Sequence, residues 1–378
     1  MIYLDNAATT PVDKEVAAVI TKSLEEDFAN PSSLYKLGAH SESEINAARQ
    51  TVAGCINAQR EEIYFTSCAS ESNNLAIYGL ALARKGWANR IVTTGYEHPA
   101  VRKPLELLKE AGFEIVYVNP DAKGNVSKEE ILAAVNETTA LVSLIHVNNE
   151  TGAVIDLKSL CREIKEKNHR TAVHIDATQS FMKLPIDVSG LQIETLSFSG
   201  HKINAPKGIG GLYIRKGTNI KAVMVGGGQE KGVRAGTENI HYIKGLAKAC
   251  QLLKPNINKK LEHYTHLKNQ LLEGLMAFDN VVINSPEDGV PYTVNFSFLG
   301  YKSETLLHFL EQYEIYVSSG SACSKGGQSH TLAQMGLSSE RIDSALRVSF
   351  GTDTTDLDIE RLLEILKLAT EKLQRKKQ

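Results

Sequence analysis

The chain has 378 residues, with 42 Lys and Arg against 44 Asp and Glu for a formal net charge of -2, and 42% hydrophobic residues. This balance gives no electrostatic footprint for nucleic acid or for an acidic membrane surface, and no apolar run reaches the ~20 residues that a bilayer span needs. Residues 1–5 lack the basic segment and apolar core of a signal peptide, so the expected location is the cytoplasm, and the length allows two domains or one large α/β unit.

Residues 3–11, Tyr-Leu-Asp-Asn-Ala-Ala-Thr-Thr-Pro, begin as a short strand and break into a loop of small residues ahead of a helix over 13–25. After an Asn-Pro-Ser-Ser turn at 30–33, small and apolar residues at Ile45, Ala48, Val52 and Cys55 predict a helix over 39–56. From 62 onward a regular alternation sets in. Strands are expected at 63–66, 90–94, 113–118, 140–147 and 171–175, with helices at 71–84, 99–111, 128–135 and 157–168 between them. Two further β runs, 194–198 and 211–215, bracket a Ser-Gly-His-Lys sequence and a Pro- and Gly-rich turn. Strands alternating with amphipathic helices imply a mainly parallel sheet covered on both faces, whose ligands gather at the carboxyl ends of the strands.

The character changes after the Gly-rich stretch 226–236. A helix over 240–253 is broken by Pro255-Asn256, and a charged helix follows at 258–278. Strands near 281–284, 294–298, 315–317 and 346–350 then alternate with helices near 303–312 and 356–373. The expected organisation is a large domain over 13–255, with 1–12 and 256–378 forming a smaller α+β domain that ends in a solvated tail.

Five stretches carry chemistry. Lys202 lies between two apolar strands, where dehydration would lower its pKa and make a neutral amine available for a Schiff base; the plainer reading is a lysine snorkelling from a strand end. Asp176 closes the strand before it, and a buried carboxylate there would keep a pyridine nitrogen protonated, although most strand-end aspartates are caps or salt-bridge partners. His98, in Tyr-Glu-His-Pro, opens a helix and is expected to face the same crevice, where an imidazole can stack on a flat ring or relay protons; a lone loop histidine is as often simply polar surface. Residues 66–73 join a strand end to a helix start, with Ser67 or Ser70 placed as cap, in the manner of a phosphate site. Among the five cysteines, which form no Cys-x-x-Cys pair, Cys323 lies in a Ser-, Gly- and Lys-rich loop. A thiolate there is accessible and Lys325 would favour it, with mobility from the glycines at 320, 326 and 327. Cys55, Cys161 and Cys250 sit in helical patterns and are assigned to packing, as is Cys68 to structure.

These motifs fall in one order along nearly the whole chain: residues 3–11, Glu97-His-Pro-Ala100, His146-Val-Asn-Asn-Glu150, Asp176-Ala-Thr-Gln179, Ser199-Gly-His-Lys202, Arg234-Ala-Gly-Thr237, Ser319-Gly-Ser-Ala-Cys323 and Arg347. In that order they resemble the cysteine desulfurases of the NifS/IscS type, within the class V group of fold-type I pyridoxal-phosphate enzymes. The resemblance implies an α/β fold with a seven-stranded sheet in the large domain. It implies that Lys202 carries the pyridoxal 5'-phosphate aldehyde, Asp176 pairs with the ring nitrogen, Gln179 bonds the ring hydroxyl and His98 stacks on the ring. Ala69, Ser70, Ser199 and His201 would hold the phosphate, joined by Thr237 from the other subunit of a homodimer. Asn149 and Arg347 would clamp the substrate carboxylate.

The implied reaction converts L-cysteine to L-alanine and leaves the sulfur on Cys323 as a persulfide, for delivery to an acceptor protein in iron–sulfur cluster assembly, tRNA thiolation or thiamine-related sulfur transfer. Three features depart from the family pattern: Ser70 stands where Thr is usual, Cys68 where Gly is common, and the segment after Cys323 and the chain end are shorter than in the long-loop members. Other readings are a selenocysteine lyase, another class V aminotransferase, or a non-catalytic sulfur carrier using only the cysteine loop.

Overall fold

The computed structural model describes residues 1–319 and 328–375, so Cys323, Lys325, Gly320, Gly326, Gly327 and the last three residues lie outside the described residues. The chain runs through β1 (Ile2–Tyr3), α1 (Lys14–Glu26), α2 (Lys36–Cys55), β2 (Ile63–Thr66), α3 (Ala69–Arg84), β3 (Arg90–Thr94) and α4 (Pro99–Glu110). It continues as β4 (Glu114–Val118), α5 (Lys128–Ala134), β5 (Thr139–Ile145), α6 (Leu157–Lys167), β6 (Ala172–Asp176), β7 (Thr195–Ser199) and β8 (Gly210–Ile214). Then come α7 (Ile240–Leu253), α8 (Ile257–Leu275), β9 (Val281–Ile283), β10 (Thr293–Phe298), α9 (Ser303–Glu311), β11 (Ile315–Tyr316) and β12 (Ser318–Ser319). The described chain closes with α10 (His330–Gln334), α11 (Ser339–Asp343), β13 (Ala345–Ser349) and α12 (Asp356–Lys372).

The seven-stranded sheet has the order β2-β8-β7-β6-β5-β3-β4. Pairs from β7 to β4 are all parallel, while β8 runs antiparallel to both its neighbours. Every residue of β5, β6, β7 and β8 is buried, as expected of central strands covered on both faces. Successive residues point to opposite faces. Val92, Val142 and Val173 pack with Val52 of α2, Leu160 of α6 and Leu246 of α7, whereas Ile91, Leu141 and Ala172, one position earlier on each strand, pack with Leu80 of α3 and Leu105 of α4.

A second core forms on the four-stranded sheet β12-β13-β10-β9, where Phe296 and Val348 pack under Leu271 of α8 and Leu366 of α12. Leu4 belongs to this core, and β1 pairs with β11, so the first residues are fastened to strands three hundred positions downstream.

Three local expectations change. Cys68, not Ser67 or Ser70, is the N-cap of α3, and no side chain caps that helix; Ser70 falls within its first turn, and the Ser67 N–H donates to the Glu71 carboxylate at 2.6 Å. Pro255 falls where expected, past the end of α7 at Leu253, but the break itself is a 3-10 turn, Lys254–Asn256, that leads into α8, because proline's fixed φ suits a first helical turn. The elements α10, α11 and β12 were not expected, being too short for hydrophobic periodicity to register. Among the described residues no helix is long and apolar enough to cross a membrane.

Candidate active site

The carboxyl ends of β2, β3, β5, β6 and β7 open into one cavity of about 330 Å³, roofed by Ala7, Ala8 and Arg347. Asp176, His98, Gln179, Asn149, Ser199, His201, Lys202, Ala69 and Ser70 all line it, so the structure brings these sequence-predicted residues together. Thr237 does not reach it and is exposed in the segment ahead of α7. The expected sulfur acceptor Cys323 lies outside the described residues.

Lys202 sits in the 3-10 turn Gly200–Lys202 between β7 and β8, and its Nζ donates to the Ala7 carbonyl at 2.5 Å and the Ala8 carbonyl at 2.8 Å. Asp176, 2% exposed at the end of β6, is held from both sides. Its Oδ1 accepts the Thr178 N–H at 2.9 Å and the Thr178 hydroxyl, and its Oδ2 accepts from Asn73 Nδ2 at 2.8 Å. Asn73 Oδ1 in turn accepts from His174 Nε2 at 3.0 Å and from the Ser197 hydroxyl. Burial pushes His174 down to about 4, so it is the neutral tautomer with the proton on Nε2 and Nδ1 accepting from Thr195 Oγ1 at 2.9 Å. The carboxylate's orientation is therefore fixed by two strands and a helix.

His98 is the N-cap of α4, and its Nδ1 accepts the Ala100 N–H at 3.1 Å, which puts the proton on Nε2. Burial holds this imidazole below its ordinary pKa against the pull of Asp176, and the Lys202 and Arg102 charges add to the depression. His201 is likewise pushed down to about 4 by burial, with Lys202, Lys207 and Lys183 contributing, and its Nδ1 lies 3.2 Å from Thr9 Oγ1. Neighbouring Glu97 is 2% exposed; its Oε1 accepts from Thr94 Oγ1 at 2.5 Å and from the Ile145 N–H at 2.9 Å. Burial pushes this carboxyl up to about 8, and Oε2 has no partner.

Arg347, on β13 and 6% exposed, reaches across from the second core. Its Nη2 donates to Asp5 Oδ1 at 2.7 Å and its Nη1 to the Asn149 carbonyl at 2.9 Å, while Nε is buried without a partner. A carboxylate entering the cavity finds a guanidinium already oriented. Next to Asn149, Glu150 Oε2 accepts from the Ser329 hydroxyl at 2.5 Å, and burial pushes the Glu150 carboxyl up. Ser318 pairs with Arg347 on the other flank, so residues 319 and 328 both emerge at the rim of this site.

The phosphate turn is built by close approach. Gly210 begins β8 beside the N-cap of α3, where an added Cβ would come within 2.7 Å of the Cys68 carbonyl carbon, so only glycine admits the two backbones there. The uncapped start of α3 lines the same cavity as a buried hydroxyl, Ser199 Oγ, that has no partner.

The aminotransferase class-V family model matches residues 2–362. The chain belongs to that family. The "Cysteine desulfurase IscS" of Clostridium botulinum is 40% identical over 371 residues, covering 97% of this chain and 93% of that protein, and its namesake from Methanosarcina thermophila is 40% identical over 375 residues, covering 98% and 92%. Among solved structures, a NifS-like protein superposes with a TM-score of 0.93 at 35% identity, covering 98% of this chain and 99% of that one. A structure described as SspA in complex with cysteine superposes with a TM-score of 0.82 at 34% identity, covering 93% and 99%.

This class-V enzyme is a pyridoxal-phosphate-dependent cysteine desulfurase. The cavity suits that cofactor on its own chemistry. An uncapped helix start and an orphaned serine hydroxyl would suit a phosphate, a doubly anchored carboxylate would suit a protonated ring nitrogen, and the Lys202 amine lines the same cavity. Sequence reasoning missed the residues that hold these groups: Asn73, Thr178 and Asp5 were within quoted motifs, but Asn73 and Asp5 find their partners on distant strands, and Thr178 is a local partner of Asp176.

Proposed function

We propose that Lys202, Asp176, His98, Arg347 and Cys323 divide the desulfurase reaction among them. Lys202 would bind the cofactor aldehyde, Asp176 would serve the ring nitrogen and Gln179 the ring hydroxyl. Ala69, Ser70, Ser199 and His201 would hold the phosphate. The observation that supports this reading is the convergence of Lys202, Asp176, His98 and the unpartnered Ser199 Oγ on one cavity. When bound, pyridoxal phosphate supplies an electron sink conjugated to the substrate Cα.

Arg347 and Asn149 orient the substrate carboxylate. Lys202 Nζ, as a free amine, would be the base for the substrate Cα proton. His98 exchanges a proton with the substrate thiol through Nε2, its Nδ1 being committed to Ala100. The Cys323 thiolate attacks the substrate sulfur; the carbon–sulfur bond breaks, Cβ gains the electron pair and a proton, and alanine leaves. L-cysteine and one thiol thus become L-alanine and one persulfide. On either side of the Cys323 loop, Ser318 pairs with Arg347 and the Ser329 hydroxyl donates to Glu150, which supports access of Cys323 to the cavity.

The persulfide sulfur then passes to an acceptor protein serving iron–sulfur assembly, tRNA thiolation or thiamine-related transfer. Phe28, Leu34, Tyr35 and Leu37 form an exposed apolar stretch at the end of α1 and start of α2, with Leu34 fully exposed at 103%. A second copy of the chain covers it in this reading and brings its own Thr237 to the phosphate. The free thiols of Cys55, Cys68, Cys161 and Cys250 suit a reducing cytoplasm. The test is Cys323→Ser: cysteine still binds and perturbs the cofactor's visible band, but no alanine is released. Alanine release at the unmodified rate would sink the assignment.

A further inference from the structure

Lys183 belongs to no motif singled out above, yet it is tied to the cavity from behind. After β6 the chain makes one helical turn, with the Phe181 N–H donating to the Ala177 carbonyl at 2.8 Å and the Leu184 N–H to the Ser180 carbonyl at 2.9 Å. Met182, at φ 58, ends that turn in the left-handed region. Gln179 and Lys183, four positions apart, therefore fall on one side, and Lys183 Nζ donates to Gln179 Oε1 at 3.2 Å.

The other end of the same amide is fixed as well. Gln179 Nε2 donates to the Ala7 carbonyl at 2.9 Å, the carbonyl that Lys202 Nζ also uses. A lysine ammonium only donates and a backbone carbonyl only accepts, so the two partners leave the amide one orientation. A flipped amide would set Nε2 against Nζ and Oε1 against the Ala7 oxygen. Gln179 is 4% exposed, so water cannot repair that mismatch.

Tyr292 holds Lys183 in place from the second core. Its ring centroid is 5.1 Å from Lys183 Nζ, and its hydroxyl donates to the Gln179 carbonyl at 2.9 Å. Lys183 and Lys202 also line one small void of about 30 Å³, room for about one water molecule. No carboxylate is bonded to Lys183 among its described contacts; its charged neighbours are Lys202 and Arg347.

We propose that Lys183 is a positioning residue for the cofactor: by donating to Gln179 Oε1 it turns the amide so that an N–H, never the carbonyl, meets the ring hydroxyl oxygen. The proposal rests on the reading above that Gln179 faces that oxygen. One Nε2 hydrogen serves Ala7 and the second is left for the ring. Burial, with the Lys202 and Arg347 charges, pushes Lys183 down to about 7. The amine keeps two N–H groups that can donate, and the Ala7 carbonyl still rejects a flipped amide, so the orientation persists through that titration.

The experiment is a spectrophotometric pH titration of the cofactor's visible band in the purified holoenzyme, with cofactor affinity measured by equilibrium dialysis. Donation to the deprotonated ring oxygen lowers the titration midpoint, so Lys183→Met is expected to raise it by about one unit, and Lys183→Arg to restore it. In a Gln179→Ala background, Lys183→Met is expected to add nothing. An equal shift in both backgrounds means that Lys183 acts only as a nearby charge, and overturns the proposal while leaving the Gln179 contact intact. A Gln179→Ala midpoint identical to the parent removes the contact itself, and the proposal with it. If Lys183→Met does not fold, Lys183→Leu, which also removes the donor to Gln179, serves the same test.

Discussion

Asp5 and Arg347 are 342 positions apart in the chain and 2.7 Å apart in the folded protein. Asp5 follows β1 and forms a bridge with Ser349, so the first residues lie alongside β13 and the carboxylate meets the guanidinium on that strand. The pair leaves Arg347 anchored at Asp5 and at the Asn149 carbonyl, with Nε buried without a partner.

Asp5→Asn is expected to raise KM for cysteine about tenfold and to cost about 1–2 kcal/mol of stability, because a nearly buried guanidinium loses its counter-charge. Steady-state kinetics and urea melts measure both. A KM equal to the parent's would show that Arg347 is oriented without Asp5.

Ser199→Ala separates folding from binding. Its hydroxyl is buried without a partner, so removing it is expected to stabilise the cofactor-free protein by about 1 kcal/mol. Pyridoxal-phosphate affinity falls about tenfold in the same variant. Opposite signs in the two measurements are the signature; a loss in both would mean that the hydroxyl supports the fold.

His98 does two jobs that substitution can part. Asn is a good N-cap and keeps an acceptor for the Ala100 N–H, so His98→Asn is expected to hold stability to within about 0.5 kcal/mol, while turnover falls roughly 10²- to 10⁴-fold. His98→Ala loses the cap as well and costs about 1 kcal/mol more. Near-normal turnover in the Asn variant would remove His98 from proton transfer.

Glu97 makes the protein's stability depend on pH. Burial moves its carboxyl from the ordinary 4.5 up to about 8. Between those values the unfolded chain has released the proton that the folded chain keeps, so stability from this group falls as pH rises, by roughly 1.4 kcal/mol per unit. Glu97→Gln keeps an acceptor for Thr94 and Ile145 and has nothing to ionise. Its advantage over the parent is expected to grow from pH 4.5 to about 8 and then level off. Denaturant melts across the window check it, and parallel curves for the two proteins would refute it.

Much of this site was legible because its chemistry sits on local patterns. Asp176 and Lys202 each end a run of apolar strand residues, and neighbouring parallel strands must bring such ends to one edge. His98 was legible as a helix start, as Pro99 follows it. Ser67 and Ser70 misled for a related reason: hydroxyls near a helix start suggest caps, but here Glu71 takes the Ser67 N–H and leaves the helix uncapped. Asn73, Lys183 and Asp5 stayed hidden because nothing in their own neighbourhoods names their partners.

The amino-acid order alone determined the alternating architecture, the lack of any run long enough for a membrane helix, and the set of chemically able side chains, since periodicity and residue type are local properties. Only the tertiary structure decided which groups share a boundary: that Asn73 steadies Asp176, that Asp5 meets Arg347, and that Lys183 turns Gln179. Those contacts depend on strand register and on the packing of one core against the other, and a hydrogen bond a few tenths of an ångström too long is no bond.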